Sequence, residues 1–76
     1  MPDPNENVFG EWRTADREAR SLERALCTAS LRALEGRGDA PSHQDREEAH
    51  RLRQTADALF RLAMDAMKAR AISLRR

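Results

Sequence analysis

A chain of 76 residues has room for one domain at most, and a domain of that size buries only about 60% of the surface its unfolded chain exposes, so its own core is thin. Its 14 basic and 13 acidic side chains leave a formal net charge of +1, which excludes the strongly basic balance of a dedicated nucleic-acid binder. Cys27 is the single cysteine, so no intrachain disulfide can staple the fold, and no apolar run approaches the ~18 residues of a bilayer span.

The opening stretch, MPDPNENVFGEWR, has neither the basic nor the apolar region of a secretory signal. Together with a lone thiol, which suits a reducing setting, this predicts a cytoplasmic protein with no membrane partner. Residues 1–7, with two prolines and no periodic apolar residue, read as a flexible tail before a single hairpin domain over 8–76.

Helix one is predicted over about 8–35, with Asn7 or Asn5 as its N-cap. Val8, Trp12, Ala15, Ala19, Leu22, Leu26, Ala29 and Ala33 recur at alternating spacings of four and three, a heptad seam. Arg13, Asp16, Arg17, Arg20, Glu23 and Arg24 fall off that line, so the apolar stripe is narrow. Cys27 flanks it as a small packing residue, far from either histidine.

The loop is predicted at about 36–41. Gly36 suits a left-handed helix C-cap, and Gly38, Asp39 and Pro41 forbid continuation. Arg37-Gly38-Asp39 spells an adhesion tripeptide, but glycine and aspartate here are ordinary turn chemistry.

Helix two is predicted over about 42–74. Ser42 is a natural N-cap with Asp45 at the third helical position, a capping-box variant, and Asp45, Glu47 and Glu48 suit the positive end of the helix dipole. The seam resumes at Ala49, Leu52 and Ala56 and runs on through Leu59, Ala63 and Ala66. A short loop between two long helices gives an all-α antiparallel hairpin. Four-apart opposite charges, Asp16 with Arg20, Glu47 with Arg51, Asp57 with Arg61 and Arg61 with Asp65, are expected to support the helices. Trp12 and Phe9 are expected to close the open end of the hairpin against Ala71 and Leu74.

Beyond the seam, Leu59, Phe60, Leu62, Ala63, Met64, Ala66, Met67, Ala71 and Leu74 spread over an apolar sector of about 200° on helix two. One narrow neighbouring helix cannot cover it. The expected solution is two hairpins packed face to face as a homodimeric four-helix bundle, with a groove for another helical protein as the second option.

Candidate chemistry is sparse. Glu47 and His50 have the i, i+3 spacing of carboxylate-bundle metal ligands, and His43 adds a third donor on the same face. With Ala49 and Leu52 on the seam, however, these three point outward, so they are weak metal candidates and no cofactor is expected. Arg13, Arg17, Arg70, Arg75 and Arg76 could gather at one basic end, since dimers of two-helix hairpins are a known RNA-binding architecture, but interspersed acidic residues weaken that field. No nucleotide loop, nucleophile triad or paired inward carboxylates are visible. The leading expectation is a non-enzymatic interaction or scaffold protein acting through a self-associating hairpin. A nucleic-acid-binding dimer and a metal-binding bundle are the alternatives.

Overall fold

The computed structural model describes the backbone of residues 4–74 and the side chains of residues 7–74. Two long helices account for most of them. The first, α1, runs over Pro4–Leu34 and the second, α2, over His43–Leu74. They pack against one another along their length, and no strand occurs among the described residues.

The first helix begins earlier than its apolar pattern does. Proline lacks the N–H that the first helical turn would leave unpaired, and its fixed φ is already helical, so Pro4 makes a good first residue. Asn7 therefore lies inside the first turn of α1, not before it, and Asn5 is likewise helical. Of the expected N-terminal tail, residues 1–3 lie outside the described residues.

The end of α1 is a complete Schellman motif. Gly36 takes φ 74°, its N–H donates to the Ala33 carbonyl at 3.1 Å, and the Arg37 N–H donates to the Arg32 carbonyl at 2.7 Å. Gly38 follows at φ 155°, again a conformation that favours glycine. The chain then turns and restarts at a reciprocal cap. The Asp45 N–H donates to Ser42 Oγ at 3.1 Å, and the Ser42 N–H donates back to Asp45 Oδ2 at 3.3 Å. Glycine punctuation and a capping box thus set the loop length, and the loop length sets the register of the two helices.

Between the helices the core is made of methyl groups. Ala19 on α1 and Ala49, Ala56 and Ala63 on α2 are the buried residues, and no large side chain is fully buried. The three α2 alanines lie seven apart, one per two turns, so they stay on one line facing α1. The result is a thin rod, 61 × 22 × 17 Å, with a radius of gyration of 17.5 Å. A compact globule of this length would have about 11 Å.

Candidate interaction surface

Every seam residue read from the periodicity is at least half-covered: Trp12, Ala15, Leu22, Leu26, Ala29, Ala33 and Leu52 are half-buried, and Ala19, Ala49 and Ala56 are buried. Ala63, read from the sequence both on the seam line and in the wide outer sector, sits on the seam, at 1% exposed. The reason is its spacing, since it continues the Ala49 and Ala56 line.

That placement divides the wide apolar sector of α2. Measured round the helix from Ala63, Phe60, Met64 and Met67 fall about 40° to 100° to one side, and Leu59, Leu62, Ala66 and Ala69 about 40° to 120° to the other. α1 covers the middle and leaves two edges. Phe60 is 45% exposed, Met67 49% and Leu62 56%, while Leu59, Met64 and Ala66 are half-buried. Ala71 and Leu74 are exposed, as is Ile72, which the seam analysis passed over. So are Leu31 and Leu34 near the loop.

The two edges differ in chemistry. The Phe60 edge continues onto α1 through Trp12, whose ring lies 5.4 Å from that of Phe60 at 54°, a tilted aromatic contact. Half-buried Phe9 lies one turn away from Trp12. The expected contact of Trp12 and Phe9 with Ala71 and Leu74 is therefore not the one that forms. With Trp12 level with Phe60, antiparallel counting puts Ala71 and Leu74, some three to four turns further along, past the Pro4 start of α1.

Polar cross-links hold the opposite half of the same flank. Arg53, one residue past seam Leu52, forks onto Glu23 through Nε at 3.0 Å and Nη2 at 2.5 Å, and its Nη1 donates to Asp16 Oδ1 at 2.9 Å. Asp16 Oδ2 in turn accepts Arg20 Nε at 3.0 Å. Hydrogen bonds from Arg53 hold the Glu23 carboxyl below its ordinary value of 4.5, and Glu23 and Asp16 push the Arg53 guanidinium up. Periodicity overlooked Arg53 because it sits beside the apolar line. The available signal was Asp16 and Glu23, seven apart on one flank of α1, facing a lone arginine on the same flank of α2 in an antiparallel register.

Of the expected intrahelical pairs, Asp16 with Arg20 forms. Glu47 with Arg51, Asp57 with Arg61 and Arg61 with Asp65 are not within ion-pair distance among the described residues. The free-energy gain of such exposed pairs is small enough that side-chain entropy offsets it.

The chemistry-bearing candidates are all at the surface. His43 Nε2 lies 3.0 Å from Glu47 Oε1 in an exposed pair, His50 is exposed, and among the described residues no group of three or more His, Cys, Asp or Glu is arranged to hold a metal ion. Cys27 is exposed in a shallow hollow with Arg20, Glu23 and Arg24. Arg37 of the loop tripeptide lies 3.5 Å from Glu35 and donates its backbone N–H to the Schellman turn. Arg13, Arg17 and Arg70 are exposed, and Arg75 and Arg76 lie outside the described residues.

No helix among the described residues is long and apolar enough to cross a membrane. Set against known proteins, the chain matches no family model, and no curated protein or solved structure matches it. Fold and surface thus describe a two-helix hairpin with an alanine seam and two unequal apolar edges.

Proposed function

We propose that the protein is a non-enzymatic interaction or scaffold protein that works by self-association, two hairpins forming a four-helix bundle. The observation that carries this reading is the exposure of Phe60, Met67 and Leu62 beside a core that contains only alanine. Large apolar side chains supply most of the burial energy of a small domain, roughly 1.5 to 3 kcal/mol each. In this chain several of them, Phe60, Leu62 and Met67 among them, lie exposed on the hairpin, and none of the large ones is fully buried. Burying them against another chain supplies what the hairpin core lacks.

Native mass spectrometry at micromolar concentration tests the proposal. The unaltered protein is expected as a dimer, and the Met64→Asp, Met67→Asp double variant as a monomer of retained helicity by circular dichroism. A monomeric unaltered protein, or a dimer that survives both aspartates, overturns it.

A further inference from the structure

We infer that the partner seated on the Phe60, Met64 and Met67 edge is a second copy of this chain running antiparallel to the first, related by a two-fold axis that crosses α2 near residues 62–64. This inference rests on the self-association proposed above and specifies its surface and direction.

Three observations converge on it. The first is area. A compact monomer of 8.7 kDa exposes about 4,700 Å², whereas this chain exposes 6387 Å². The excess is about twice the ~800 Å² that each partner contributes to a standard interface, so a second copy can cover one edge without exhausting the surplus.

The second is composition. Aromatic and methionine side chains dominate the energetic centres of interfaces, and on this edge Trp12, Phe60, Met64 and Met67 are contiguous across both helices. The opposite edge has one exposed large side chain, Leu62 at 56%, beside half-buried Leu59 and two alanines.

The third is charge, and it decides direction. Asp57 precedes Phe60 by one turn, and Lys68 follows Met64 by one turn, both exposed on the outer rim of the edge. Asp57 has no ion-pair partner among the described residues. Parallel copies place the two outer rims on opposite sides of the contact, where Asp57 and Lys68 meet no opposite charge from the other copy. Antiparallel copies about an axis near residues 62–64 bring Asp57 of each copy within a turn of Lys68 of the other, and the two-fold doubles that contact. The same operation keeps Phe60, Met64 and Met67 together at the centre, where water is best excluded.

Disulfide trapping in a Cys27→Ser background separates the outcomes. Asp57→Cys and Lys68→Cys variants are oxidised singly and as an equimolar mixture, after each is shown to be helical and dimeric by mass. In the antiparallel dimer, thiols introduced at the same position lie about 12 to 21 Å apart along the helices, too far to bond. A covalent dimer is then expected from the mixture alone. Self-linked species from each single variant, or a dimer that links in neither experiment, overturns the antiparallel pairing of this edge. A chain that is monomeric before oxidation instead removes the self-association on which the inference stands.

An independent readout uses the charges themselves. Asp57→Lys is expected to weaken dimerisation about three- to tenfold, the range for two exposed ion pairs lost together. Adding Lys68→Asp to the same chain is expected to restore it. Failure of the double reversal to recover affinity overturns the pairing.

Discussion

Arg53 joins the two helices through its side chain. Its fork to Glu23 and its third bond to Asp16 tie a residue near the middle of α2 to two successive turn pairs of α1. Because these bonds span 30 and 37 residues of sequence, they can form in one register only. Alanine methyls alone would tolerate a slide of one heptad. The charge cluster also gives a pH dependence whose sign is fixed. The folded-state value of Glu23 is below its ordinary 4.5, so its contribution to stability is fully present above pH 4.5 and is lost as pH falls through the folded value. Thermal unfolding followed at 222 nm between pH 7 and pH 3 is expected to show a fall in midpoint beginning near pH 4.5, and Glu23→Gln to flatten that fall. A Glu23→Gln protein with the same acid slope would show that other carboxylates dominate. The seam periodicity gave no hint of this cluster. An interhelical ion pair depends on rotation and register together, and apolar spacing reports only the first.

At the scale of the element, the parts legible from sequence were those with local causes. Gly36 at positive φ and the reciprocal Ser42 and Asp45 cap depend on neighbours within five residues, so residue type alone located both ends of the loop. The start of α1 was less legible, because Pro4 favours a helix start without contributing to the apolar pattern. The split of the α2 sector was legible only in part, through the alanine line of the seam. A helical projection shows how wide an apolar face is, but which part a narrow neighbour covers depends on which residues allow close approach. Here the methyl groups at Ala49, Ala56 and Ala63 set that line. Ala56, 1% exposed, gives the test of close packing. Ala56→Leu forces three further carbons into the tightest part of the seam and is expected to cost about 1 to 3 kcal/mol, lowering the melting midpoint by roughly 4 to 8 °C per kcal/mol for a chain of this size. A variant that melts at or above the parent temperature would mean that the helices separate readily, and that the alanine line does not set their spacing.

For the whole molecule, shape and stability are linked through assembly. A rod of 61 × 22 × 17 Å with a methyl core has little to hold it together as a single chain, since helices gain most of their stability from packing an amphipathic face. If the dimer adds that packing, association stabilises the folded hairpin, and the melting temperature must rise with protein concentration. The two edges of α2 then make unequal contributions. Met64→Asp places a charge at the centre of the antiparallel interface, whereas Leu62→Asp places one on the opposite edge, beyond the two-fold contact. Over a hundredfold concentration range, the unaltered protein and Leu62→Asp are both expected to show a rising midpoint. Met64→Asp is expected to melt lower by an amount equivalent to about 2 to 3 kcal/mol, the cost of losing a buried apolar side chain, and to lose the concentration dependence. Equal sensitivity at both positions would instead place both edges in contact with other chains. The antiparallel dimer would then be one layer of a larger bundle, and the exposed Leu62 would have a covering partner of its own.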